Sequence, residues 1–106
     1  MIIETLFLLL AAHWLADYPL QGDFLAQAKA KGPLRIYHLV AHAGIQGAAV
    51  YVVTGSVMLG LAEWAIHTAT DEAKTRNWIS FSQDQVIHVG CKVVWAVLLY
   101  LSVVPA

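Results

Sequence analysis

The chain has 106 residues, of which 59% are apolar and 12% charged, with a formal net charge of −1. An average soluble domain is about half apolar and about a quarter charged, and a small one needs many polar residues to cover its large relative surface. An uncovered soluble monomer is therefore excluded, and lipid is expected to cover the apolar exterior. The absence of a basic run and of aromatic-basic interleaving excludes a nucleic-acid partner.

Residues 2–18 form the first apolar segment, with only Glu4, His13 and Asp17 ionisable in it. Pro19 ends it, because the residue before a proline is pushed out of the helical region. Met-Ile-Ile-Glu carries neither a basic region nor a clear cleavage site, so no signal peptide is expected. Residues 19–33 read as a connection punctuated by Pro19, Gly22, Gly32 and Pro33. Within it Asp23 suits the cap of a short helix, Phe24 to Lys31, lying in the membrane interface. The second helix is expected from Leu34 to Val53, with Pro33 preceding its first turn. Gly44, Gly47 and Ala48 would let a neighbouring helix approach closely.

Gly55-Ser56 then makes a tight turn into a third helix over 57–75. Residues 77–82 are a polar break holding Trp78, an interfacial anchor. Ser82 with Gln85 matches a capping box and is expected to start the fourth helix, which runs to Val103. The expected fold is all-α: one integral membrane domain over 1–106, an up-down four-helix bundle with the short interfacial helix between its first two helices. Lys29, Lys31, Arg35, Lys74 and Arg76 fall in or beside the first and third connections, which the positive-inside rule assigns to the cytoplasm. Cys91 is the one cysteine, so it forms no internal disulfide and reads as an inert small hydrophobe.

The ionisable residues within the helices are paired. His13 and Asp17, His38 and His42, His67 and Asp71, and Asp84 and His88 are each four apart and so share a helix face. The twelve His, Asp and Glu residues scattered at random would give roughly one or two such spacings. In an up-down bundle all four pairs also fall at one level, the cytoplasmic end. Ionisable groups inside membrane helices are costly and mark function. Imidazole with carboxylate suits zinc, iron, manganese or nickel, and eight such donors suit two divalent ions. Paired ions can activate water for phosphoester hydrolysis.

Around these eight candidate ligands, Glu63 sits one turn before His67 and suits either a ligand or a carboxylate that fixes an imidazole. Lys74 and Arg76 suit phosphate binding or an ordinary positive flank. Asp23 suits a cap or a site carboxylate, and Lys92 either pairs with Glu63 or reaches the site. Trp14, Trp64 and Trp95 read as packing or lipid contacts.

These residues also carry a family resemblance. His13 to Phe24 (HWLADYPLQGDF), His38 to Gly44 (HLVAHAG), Glu63 to His67 (EWAIH) with Asp71 and Lys74, and Phe81 to His88 (FSQDQVIH) resemble the ordered motifs of domain-of-unknown-function family 3307. The family pattern often has a further histidine where this chain has Gln46. The resemblance implies a small bacterial inner-membrane protein, often phage-encoded, and supplies no activity. The paired motif is similar in style to membrane-bound metal-dependent hydrolases. Three functions follow as expectations: a metal-dependent phosphoester hydrolase acting on a lipid head group; a non-enzymatic, metal-stabilised module, homo-oligomeric or acting on a host membrane protein; and, ranked last, an ion or proton path. No residue is singled out as catalytic.

Overall fold

A computed structural model of the chain describes residues 2–17, 32–102 and 104. Among them are four helices: α1 (Ile2–Asp17), α2 (Arg35–Thr54), α3 (Val57–Thr75) and α4 (Phe81–Tyr100). Their ends match the apolar segments of the sequence to within about two residues, the usual uncertainty of a helix end, except that α4 ends at Tyr100 and not at Val103. The expected interfacial helix at 24–31, with Asp23, lies outside the described residues. Helix α1 packs on α2 and α4, and α3 packs on the same two, so the helices close a ring in which chain neighbours run antiparallel.

Each turn has a local cause. Gly55 ends α2 at φ 72°, a left-handed conformation in which its N–H reaches Tyr51 O at 2.7 Å. Ser56 follows at once as the N-cap of α3, accepting from Leu59 N. At the other end of α3, Asn77 takes φ 60°. Its N–H bonds Lys74 O at 2.9 Å, and Trp78 N–H bonds Ala73 O at 2.9 Å, the paired closure of a Schellman motif.

The start of α4 differs from the expectation. Ser80, not Ser82, is the N-cap, and Ser80 and Gln83 form the reciprocal capping box. Both serine–glutamine pairs fit the pattern, and the Schellman turn at 76–78 delivers the chain to Ser80 first. Gln85 is thereby released from capping and faces the bundle interior, where it meets His13.

The α2–α3 hairpin is the tightest contact. A Cβ on Gly47 would lie 2.7 Å from Gly60 O, and one on Gly60 would lie 2.9 Å from Gly47 O. The backbones touch there, so of the small residues expected to permit close approach Gly47 does so, against Gly60, which was not among those expected. Gly44 has only ordinary contact with Trp64.

The polarity of the bundle is inverted. Leu9, Val50, Leu59, Trp95 and Ala96 make a modest apolar core toward the end that holds the Gly55 turn. Toward the other end the interior is polar: His13, His42, Gln46, Glu63, His67, Asp71, Asp84, His88 and Lys92 are all buried. Large apolar side chains face outward along the whole length, among them Phe7, Trp14, Ile36, Val52, Val86 and Tyr100. By length and composition α2 is able to cross a membrane, and only 33% of its apolar window is buried.

Candidate metal centre

The four helices deliver their polar faces to one level. Helical spacing stacks His13 over Asp17 on α1, His42 over Gln46 on α2, Glu63, His67 and Asp71 on α3, and Asp84, His88 and Lys92 on α4. The antiparallel ring then turns all four faces inward. Ring centroids of His67 and His88 are 3.9 Å apart in a stacked pair, those of His42 and His67 are 5.2 Å apart, and those of His13 and His88 are 5.4 Å apart.

Carboxylates thread this imidazole cluster. Asp17 Oδ1 is 3.5 Å from His42 Nε2, and Asp17 Oδ2 is 3.5 Å from His13 Nε2. Asp71 Oδ2 is 3.4 Å from His42 Nε2 and 3.5 Å from His67 Nε2. Its other oxygen, Oδ1, is 3.2 Å from His88 Nε2, which is also 3.2 Å from Asp84 Oδ1.

Several of these short distances are not hydrogen bonds. His42 Nε2, His67 Nε2 and Asp84 Oδ1 are buried without a hydrogen-bond partner. Leaving a buried polar atom unpaired costs about 1–3 kcal/mol, so three at one place require an explanation. His42 Nε2 and His67 Nε2 lie beside their carboxylate neighbours without meeting hydrogen-bond geometry, whereas His88 Nε2 is hydrogen-bonded to Asp71 Oδ1 at 3.2 Å. Donors about 2.0–2.1 Å from a tetrahedral cation stand about 3.3–3.4 Å apart, and the distances here, 3.2 to 3.5 Å, bracket that edge.

Glu63 meets His67 on the ring nitrogen opposite the one that faces Asp71, and with His67 and His88 it forms a further group of converging donors. His67 Nδ1 stands 2.8 Å from Glu63 Oε2. An ionised carboxylate only accepts, so Nδ1 carries the proton and the lone pair of His67 is left on Nε2, facing Asp71. The other oxygen, Oε1, accepts from Trp95 Nε1 at 2.9 Å and is 2.9 Å from Lys92 Nζ. The structure puts Glu63 against the His67 imidazole and within 2.9 Å of Lys92, the contacts that one alternative for each residue calls for.

Among the described residues, the remaining sequence candidates His38, Lys74 and Arg76 belong to none of the converging donor groups. His38 is half-buried one turn before His42, with its ring edge-on to Tyr37 at 5.6 Å. Lys74 Nζ lies over the Phe81 ring, and Arg76 donates to Glu72 Oε2 at 2.7 Å. Arg35 forks onto the same carboxylate, with Nη2 3.2 Å from Oε2. At this helix end the Arg35 and Arg76 guanidiniums hold the Glu72 carboxyl down at about 2.

Three contributors were missed in the sequence. Gln46 Nε2 donates to Asp17 Oδ1 at 2.9 Å and to His13 O at 3.3 Å, where it ties α2 to α1. Gln85 Nε2 donates to Asp84 Oδ2 at 3.1 Å. Trp95 donates to Glu63. For Gln46 the available signal was continuation of the four-residue spacing, since it follows His42 by one turn.

The family described as "Protein of unknown function (DUF3307)" matches residues 5–104, and the chain belongs to that family. No curated protein and no solved structure matches the chain.

Proposed function

For this member of the DUF3307 family we propose a membrane-embedded metalloprotein that binds divalent zinc, iron or manganese and hydrolyses a phosphoester, such as a lipid head group, at the cytoplasmic face of the bacterial inner membrane. The observation that carries the metal reading is the pair of orphaned nitrogens, His42 Nε2 and His67 Nε2, buried against Asp71. Charge supports it. Counting the imidazoles as neutral, as metal ligands are, half-buried Asp17 and buried Glu63, Asp71 and Asp84 face Lys92, the one lysine or arginine among the described buried residues. That excess of buried negative charge needs cations to balance it.

The bilayer reading rests on inverted polarity. An apolar exterior around a polar interior is the arrangement hydrocarbon favours, because polar groups there must be satisfied inside the protein. A helix of 20 residues spans about 30 Å, the thickness of the hydrocarbon layer. Most of α2 is turned outward, unlike the core helix of a soluble protein. Arg35, Lys74 and Arg76 at the metal-centre end supply a positive flank, which supports a cytoplasmic position for this end.

In such a site, bound divalent ions lower the pKa of water and neutralise phosphoryl charge. The protein's own groups do the rest. Glu63 fixes the His67 tautomer, Gln46 and Gln85 hold Asp17 and Asp84 in place, and the buried apolar floor excludes water from below.

Elemental analysis of protein purified in detergent, paired with hydrolysis of a model phosphodiester, tests the reading. Stoichiometric divalent metal and turnover are expected, both lost in His42→Ala. Protein free of metal, or metal content unchanged in His42→Ala, would overturn it. Metal without turnover would favour a metal-stabilised interaction module instead.

A further inference from the structure

We infer that Asp71 is a bridging carboxylate that joins two divalent cations, one held with Asp17, His42 and His67, the other with Asp84 and His88. This rests on the metal reading above and deepens it. The donors fall into separate groups. One oxygen or nitrogen each from Asp17, His42 and His67 lie within 4.8 Å of one another, and so do those from Asp71, Asp84 and His88. Asp71 connects the groups through different atoms. Its Oδ2 faces His42 and His67, and its Oδ1 faces His88. A carboxylate whose two oxygens serve different donor groups is the geometry of a bridge between paired ions, which stand about 3.5–4 Å apart in hydrolytic sites.

A third convergence, of Glu63, His67 and His88, does not compete. Both Glu63 oxygens are already engaged by His67 Nδ1, Trp95 and Lys92. His13 borders both groups, with its Nε2 near Asp17 Oδ2 and its ring beside His88. Helix α3 thus supplies the bridge, α1 and α2 complete one ion's shell, and α4 completes the other's.

Charge agrees with a pair of ions. Glu63 and Lys92 cancel, so three aspartates remain against two divalent cations. The filled centre carries one net positive charge, suited to a bound hydroxide or a phosphoryl oxygen.

The experiment loads metal-stripped protein in detergent with Mn2+, counts the equivalents bound by calorimetric titration, and records the electron paramagnetic resonance spectrum. Wild type is expected to bind two equivalents and to give the multiline spectrum of a coupled pair. Asp84→Asn is expected to bind one equivalent with the six-line spectrum of an isolated ion, and Asp71→Asn to lose the coupling. One equivalent in wild type, or two with only the isolated-ion spectrum, overturns the bridge while leaving the metal reading intact. No bound Mn2+, with no zinc or iron in the protein as purified, defeats both. The wild-type stoichiometry and spectrum decide the matter even if a variant fails to fold.

Discussion

Removing either partner of the Glu63–Lys92 pair should damage the bundle, and removing both should damage it far less. Lys92 is 0% exposed and Glu63 is 1% exposed, and their charged atoms are 2.9 Å apart. Breaking such a pair leaves a buried charge without a partner, which costs about 3–5 kcal/mol. Glu63→Gln keeps the shape but strands the Lys92 ammonium; Lys92→Met strands the carboxylate, although His67 and Trp95 still donate to it. The lysine variant should therefore be the milder of the two. In Glu63→Met/Lys92→Met neither charge remains; the His67 proton can move to Nε2, which faces Asp71, and the residual cost is the orphaned Trp95 N–H, about 1–3 kcal/mol. Metal affinity should separate from stability. Both variants lacking Glu63 lose the group that fixes His67, and affinity should fall about 10–100-fold even where the double variant regains its fold. Denaturant unfolding in detergent micelles, paired with metal titration, reads both quantities. Single variants as stable as wild type, or a double variant with wild-type metal affinity, would refute the roles given to these residues.

Three further outcomes follow from local geometry. Gly47→Ala should destabilise the bundle by about 1–3 kcal/mol as overpacking, or more, because the new methyl meets backbone at Gly60 O, which cannot rotate away; unfolding in detergent measures it. Ser80→Ala should lose about 1 kcal/mol of helix capping and Ser82→Ala close to none, a contrast that reverses if α4 is capped at Ser82. Glu72 has its carboxyl lowered from 4.5 to about 2 by Arg35 and Arg76, so its stabilisation is complete above about pH 4.5 and is lost as the pH falls toward 2; an acid titration of unfolding in Glu72→Gln should lack that component, and an unchanged profile would count against the Arg35–Glu72 link between α2 and α3.

The sequence determined much of this protein by itself. Apolar runs, prolines and glycines set the four helices, because buried backbone groups need partners and a helix supplies them within the run itself. The four-residue spacing of the His and Asp pairs set which face of each helix is polar, because spacing fixes direction around a helix axis. It could not say which donors meet. His38 and His42 have the same spacing and the same chemistry, yet only His42 reaches the converging donors among the described residues, since that depends on how α2 is rotated against α1 and α3. Gly47 and Gly60 set that rotation through a backbone contact between helices. The same holds for Glu63: one turn from His67 it suited a ligand or an orienting carboxylate equally. Only the approach of Lys92 and Trp95 from α4 engaged its remaining oxygen. Spacing along one chain assigns residues to a face; the assembly of four faces decides which of them share an atom's reach.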